Sequence, residues 1–354
     1  MKIAVDAMGG DYAPREVVAG CVEASEKLNS VGGIILVGDE KAIKRELCCY
    51  SGVSSKIEIR HASEVVSMDE PPAGAVRKKK DSSIGRAVDL VKAGEADAVV
   101  SAGNTGAAVV ACTLKLRLLE GVIRPAIAAV LPTEKNPFVL IDAGANIDCS
   151  SRLLAQFGVM GSVYSRMILN QDDPVAGLLS IGGEETKGNE TTREAYKLLD
   201  QSGINFRGNV EGHDLFRGET DVVICDGFVG NIVLKTAESS VGALGHWLKE
   251  EFRSSVMSRI GAVFLWKSLK KMKKKADPQT YGGAPLLGVG GVCIITHGSS
   301  KAPAIFHAVR VASESIHCNI NDLMVEKLKE TGLAKNQNLN NMMMDKIKEV
   351  AKVR

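Results

Sequence analysis

No excess of either charge marks this sequence. Its 44 lysines and arginines stand against 42 aspartates and glutamates, a net charge of +2, which gives no overall field for nucleic acid. Paired cysteines are missing as well. The eight cysteines, at 21, 48, 49, 112, 149, 225, 293 and 318, never adopt a C-x-x-C spacing. Several lie in apolar runs where a thiol packs as a small hydrophobe, and reduced thiols are expected. Among the six histidines there is neither H-E-x-x-H nor a His/Cys cluster, which argues against a zinc site, and no metal is expected. G-x-G-x-x-G is absent and no glycine loop ends in G-K-[ST], so a dinucleotide is disfavoured and no cofactor is expected. The start, Met1-Lys2-Ile3-Ala4-Val5-Asp6, lacks the apolar core of a signal peptide. Residues 278–300 contain no Asp, Glu, Lys or Arg, yet Pro278, Pro285 and glycines at 282, 283, 288, 290, 291 and 298 argue against a spanning helix. A cytoplasmic protein is expected.

What is present is a repeated alternation. Short apolar runs at residues 3–5, 34–37, 57–59, 98–100, 126–131, 138–141, 175–179, 222–225 and 292–295 are separated by helix-length amphipathic segments. That alternation predicts βαβ units and a doubly wound, three-layer αβα domain with a largely parallel sheet. One domain is expected over residues 1–330, with a protruding helical insert at about 235–280. Residues 331–354 read as a polar linker, mobile over 332–341, followed by a short amphipathic end at 342–353.

Six of the runs end in glycine and small polar residues. They are followed by residues 7–11, 101–106, 143–146, 180–189, 226–231 and 296–300. In a parallel sheet all six loops would face one edge and form a polar cleft suited to a small anion. The stretch at 221–235, Asp-Val-Val-Ile-Cys-Asp-Gly-Phe-Val-Gly-Asn-Ile-Val-Leu-Lys, reads as strand, glycine loop and the anion-welcoming start of a helix.

Two basic clusters stand apart. Arg77, Lys78, Lys79 and Lys80 precede Asp81-Ser82-Ser83, an expected helix N-cap, and read as a loop beside the 101–106 segment: either a solvated surface or a docking patch for an acidic partner. Over residues 257–276 apolar side chains recur at helical spacing while lysines crowd the second half. Val263, Phe264 and Trp266 with Lys270 and Lys271 have the composition of a helix lying on an anionic membrane surface; packing on another subunit is the alternative.

Together the motifs resemble a known family. Asp6-Ala-Met-Gly-Gly-Asp11, Ser101-Ala-Gly-Asn-Thr-Gly-Ala107, Asp142-Ala-Gly-Ala-Asn146, Gln156-Phe-Gly-Val-Met-Gly161, Lys187-Gly-Asn189, Asp226-Gly-Phe-Val-Gly-Asn231, Tyr281-Gly-Gly-Ala-Pro-Leu-Leu-Gly288 and His297-Gly-Ser-Ser300 occur in the order seen in PlsX-type phosphate acyltransferases. The resemblance covers roughly residues 1–325. It departs at Ser180, where Asn would be expected before Ile-Gly, and beyond residue 330. It implies an enzyme that moves a fatty acyl group from acyl carrier protein to inorganic phosphate, giving acyl phosphate for phospholipid synthesis. It further implies a homodimer with a fold similar to the isocitrate and isopropylmalate dehydrogenases, peripheral to the membrane near the glycerol-3-phosphate acyltransferase that uses acyl phosphate. A β-decarboxylating dehydrogenase on that fold would need a metal-binding acid set and an arginine cluster, which the sequence lacks.

Chemistry then assigns candidate roles. A thioester is already activated and phosphate has a usable oxygen nucleophile, so the reaction needs positioning and oxyanion donors rather than a covalent intermediate. Lys187 and Lys235 are expected to hold phosphate with Asn104, Thr105 and Gly106. His297 is expected to donate to the oxyanion or the departing sulfur, with Asn231 and Ser299 as further donors. Asn146, Asn189 and Ser300 complete the substrate-binding set. Asp226 either orients a lysine or His297, or caps a helix.

Overall fold

The computed structural model describes residues 1–276 and 281–335. Its centre is one 11-stranded sheet. On one side lie β3 (Ile57–His61), β2 (Gly33–Gly38), β1 (Lys2–Asp6), β4 (Ala98–Ser101) and β11 (Val292–Ile295), all parallel. On the other side β6 (Phe138–Ile141), β9 (Val222–Ile224), β7 (Ala176–Leu179) and β8 (Phe206–Val210) are parallel to one another. Between the two blocks run β10 (Ala284–Leu287), antiparallel to both neighbours, and β5 (Ala126–Leu131), antiparallel to β6.

The two blocks therefore run in opposite directions, which corrects the expectation of one shared edge. The loops after β1, β4 and β11 leave one edge of the sheet; those after β6, β9 and β7 leave the other. Strand direction is set by pairings between residues far apart in sequence, which no local pattern records. The fold remains a helix-flanked, mostly parallel α/β sheet whose central strands are wholly buried, as their unbroken apolar runs require.

Two strands escape the sequence pattern. β10 is Ala-Pro-Leu-Leu, and Pro285 reads as a strand breaker, yet it stands opposite Ile294 at the antiparallel seam. β8, Phe-Arg-Gly-Asn-Val, is an edge strand whose Gly208 has φ +100°, so it reads as a turn. The 77–80 segment is also not simply a loop. Arg77 and Lys78 close the helix α3 (Pro72–Lys78), and only Lys79 and Lys80 lie beyond it. Ser82 is the N-cap residue of α4 (Ser83–Lys92), but its hydroxyl donates to the Lys79 carbonyl instead of capping.

Helix α8 (Gly227–Ser254) starts before the expected insert and, with α9 (Val256–Ala276), forms the helical excursion. Only Gly227 and Gly230 of α8 are buried. Residues 332–335 are not a mobile linker. Leu333 is buried against the core of α6 (Ser151–Ile168) and α11 (Ile320–Glu330), its carbonyl accepts from Gln156 Nε2, and Arg152 Nη2 donates to the carbonyls of Gly332 and Ala334. The expected amphipathic end at 342–353 lies outside the described residues.

Gly230 shows how tightly α8 is seated. A Cβ there would overlap the Asp142 carbonyl oxygen and come to 3.0 Å from Cys225 Sγ, and the backbone oxygen has nowhere to go. Gly230→Ala is expected to cost about 3 kcal/mol or more and to lower the melting temperature. Gly74→Ala in α3, where a Cβ meets nothing within 4 Å, should instead stabilise by roughly 0.5–1 kcal/mol. Thermal denaturation of both variants checks the opposite signs.

Candidate active site

A cavity of about 640 Å³ lies across the seam where the sheet changes direction. Its floor is formed by β5, β10 and the end of β11, and its walls are the first turns of α5 (Thr105–Lys115) and α8. The wall at α5 is built by Asn104. Its Oδ1 caps the helix by accepting from Ala107 N at 3.0 Å, and its Nδ2 donates to the carbonyls of Ser67, Met68 and Glu70 at 3.0–3.2 Å. With every hydrogen-bonding atom engaged, this side chain fixes the loop and does not line the cavity. What it presents instead is the start of α5, where the N–H groups of Thr105 and Gly106 precede any carbonyl of the helix able to accept them. Gly106 is needed there because a Cβ would come to 2.5 Å from Pro72 Cγ, at the start of α3.

The loop after β11 brings Thr296, His297, Ser299 and Ser300 to the same end. Thr296 N donates to Ser101 O and Asp11 N to Gly298 O, each at 2.8 Å, so this loop is bound to those after β1 and β4. His297 Nδ1 accepts from Ser299 N at 3.1 Å and lies 2.8 Å from Ser299 Oγ. An Nδ1 that accepts an N–H places the proton of the neutral ring on Nε2, which is then a donor. Thr296 Oγ1 and Ser300 Oγ are buried hydroxyls with no protein partner. In native proteins such groups are nearly always satisfied; both residues border the ligand-sized cavity, with their hydroxyl oxygens turned away from its open space.

Beneath these loops sits Asp6, at the end of β1. Its Oδ2 accepts from Ser101 Oγ at 2.8 Å, its Oδ1 from Met8 N at 3.3 Å, and Ser101 Oγ accepts from Gly103 N at 3.1 Å. Burial raises the Asp6 pKa, opposed by hydrogen bonds from Ser83 and Ser101.

The opposite wall carries Asn231, Leu234, Lys235 and Glu238 of α8. Lys235 Nζ, half exposed, lies 2.9 Å from Glu238 Oε2. Asp226 is the N-cap of α8, with Oδ1 accepting from Val229 N at 2.8 Å; it stands at the edge of the sheet away from His297 and orients no lysine. Asn146 is buried and donates from Nδ2 to Pro125 O at 2.7 Å and Asp142 Oδ2 at 2.9 Å. Asn189 caps α7 (Glu190–Asp200) through Thr192 N. Lys187, in the loop after β7, lies 3.9 Å from Glu184 and does not line the cavity. Of the sequence candidates, then, Thr105, Gly106, Asn231, Lys235, His297, Ser299 and Ser300 share one cleft, while Lys187, Asn104, Asn146, Asn189 and Asp226 lie outside its lining. Sequence reasoning passed over Thr296 and the apolar part of the lining. The signal for Thr296 was its place directly before His297.

The arrangement offers donors without charge at one end and an apolar slot beyond them, formed by Val109, Val110, Ile127, Ala129 and Leu234. That suits an anion beside an aliphatic group. Among the described residues no group of three or more His, Cys, Asp or Glu could hold a metal. Residues 1–323 match the family described as "Fatty acid synthesis protein". A phosphate acyltransferase from Pelotomaculum thermopropionicum is 55% identical over 316 residues, covering 89% of this chain and 92% of that protein. In structure the chain is similar to a phosphotransacetylase from Streptococcus pyogenes (TM-score 0.60, 18% identity, 90% of this chain and 94% of that one). It is also similar to a putative 4-hydroxythreonine-4-phosphate dehydrogenase from Salmonella typhimurium (TM-score 0.50, 12% identity, 89% and 98%). These two likenesses show a shared dehydrogenase-like fold. With the family matched over nearly the whole chain, this protein is a member of the PlsX-type phosphate acyltransferases and an acyltransferase of fatty acid synthesis.

Proposed function

We propose that the chain transfers a fatty acyl group from acyl carrier protein to inorganic phosphate, giving acyl phosphate for phospholipid synthesis. The observation that carries this reading is the pairing of His297, protonated on Nε2, with the partnerless hydroxyls of Thr296 and Ser300 at the mouth of an apolar slot. Phosphate sits against the Thr105 and Gly106 N–H groups, as anions do at helix starts, and rotation of the Thr296 and Ser300 side chains turns their buried hydroxyls toward it. One phosphate oxygen attacks the thioester carbonyl carbon to form the new C–O bond. The C–S bond then breaks, and the carrier leaves as a thiolate that accepts a hydrogen bond from His297 Nε2 and takes its proton from solvent. Ser299 holds the imidazole in the donor tautomer. Lys235, turned from Glu238, neutralises charge from the opposite wall.

Two surfaces support the partners in this reading. Arg77, Lys78 and Lys80 are exposed at and just beyond the far end of α3, whose first residue, Pro72, borders the cleft, and would meet an acidic carrier, whereas Lys79 is occupied by the Val65 carbonyl and Glu70. On the helical excursion Val263, Phe264 and Trp266 are exposed, at 75%, 84% and 66%, beside Lys270 and Lys271. We assign this helix to an anionic bilayer, where a long-chain product passes to the membrane glycerol-3-phosphate acyltransferase. The exposed Val241 and Leu244 of α8 suit a homodimer contact. No helix among the described residues is long and apolar enough to cross a membrane; the attachment in this reading is peripheral.

Ser300→Ala and Thr296→Val should each raise the KM for phosphate, and His297→Ala should lower kcat, by roughly 10²–10³ for a lost preorganised donor. Steady-state kinetics with acyl carrier protein thioesters measures this; wild-type constants in all three variants with normal melting would remove the site. For docking, the double reversal Arg77→Glu/Lys80→Glu should raise the KM for the thioester and flatten its salt dependence. An unchanged KM at low ionic strength would leave these residues as a solvated surface. For the membrane, Trp247 and Trp266, the only two tryptophans, should shift their emission to the blue with anionic vesicles and partly revert in high salt. Phe264→Glu should abolish vesicle flotation and keep transfer in solution. Absence of any lipid response would make α9 a protein contact.

A further inference from the structure

The cleft has two unlike ends. At one, the loop after β11 and the start of α5 supply the donors. From there α5 carries the wall away, reaching Val110 about 7.5 Å from Thr105 at 1.5 Å per residue. The floor follows, because β5 presents Ala129 and then, two residues or roughly 6.6 Å nearer the far end, Ile127. The far end is the loop after β6, which leaves the opposite edge of the sheet and lines the cavity with Ala143, Gly144 and Ala145. These are the smallest side chains available, and Asn231 stands beside Gly144. The loop is also held firmly. Ala145 N donates to Asp142 Oδ1 at 3.1 Å, in the same carboxylate that receives Ile127 N at 2.9 Å, so end wall and floor share one buried anchor.

We propose that this slot holds the acyl chain and that Ala145, at its far end, sets the longest chain accepted. The inference rests on the proposed transfer to phosphate, which fixes the reacting carbonyl at the donor end. A length limit needs an end wall that does not yield, and the shared Asp142 anchor supplies one. Alanine at that end leaves the slot at its full depth, and a larger residue at the same position shortens it.

The test is calorimetric titration of a series of alkylphosphonates from butyl to hexadecyl, which carry the phosphate-like head and the chain with no carrier protein. Wild-type affinity should rise about fourfold for each methylene added and then level off where the chain meets the end wall. Ala145→Leu should bring the plateau earlier by roughly three methylenes, the carbons it adds. Val110→Ala should move the plateau to longer chains, and it decides alone if Ala145→Leu does not fold. An affinity independent of chain length, or an unmoved plateau in variants with wild-type melting, overturns the inference. Phosphate-dependent consumption of acyl carrier protein thioesters by the wild type separates the two readings. Its presence with an unmoved plateau rejects only the chain-length role, whereas its absence rejects the transfer itself.

Discussion

Two oppositely running blocks of sheet meet at a single buried carboxylate. Asp142 is fully buried at the end of β6 and collects five N–H donors: the backbones of Ile127, Gly144, Ala145 and Asn146, and the Asn146 side chain, at 2.6–3.2 Å. Taking a carboxylate out of water raises its pKa, and burial does so here against the hydrogen bonds of Ala145, Asn146 and Ile127. Such a group is tolerable only when its oxygens are saturated by donors, which is why one loop bends tightly around it. Because Ile127 lies in the first residues of β5 and the loop follows β6, the seam between the blocks and the floor of the cleft depend on the same contacts.

Asp6 has the matching position in the other block, at the end of β1, where it secures the loops that hold the donors. The two acids divide the work: one fixes the donor end of the cleft, the other its far end. Neither lines the cavity. This leaves the donor end with uncharged groups and no carboxylate among them. Glu238 is the exception: it lies on the opposite wall, where Lys235 pairs with it or, turned away, with the anion.

How much of this the sequence showed depends on the range of the interaction. Nine of the strands could be found from apolar runs, because burial leaves a local record, on both faces for the central strands and on one for the edge strand β3. The opposition of the blocks could not, since Ala128 faces Ile141 and Leu286 faces Ile127 only in the folded chain. The glycine loops identified the right segments but not the use of each polar side chain. Asn104, Asn189 and Asp226 have the composition of ligand contacts and in fact cap helices, because a short side chain with an acceptor before a helix serves either purpose. His297 and Ser300 were distinguishable for a physical reason: neither histidine nor a serine within an irregular turn is needed there to start a helix.

The seating of α8 has a mechanical consequence. The helix is 28 residues long, about 42 Å, and it is buried only at Gly227 and Gly230, so it behaves as a lever hinged at one end. Lys235 and Glu238 lie within roughly 12–16 Å of that hinge, on the short arm. A tilt that carries the far tip through several ångströms moves these two side chains by only about one third as much. Whatever grips the tip therefore acts on the cleft wall with a geared-down stroke, fine enough to widen or narrow the cleft at Lys235 and Glu238 without dislodging the body of the sheet.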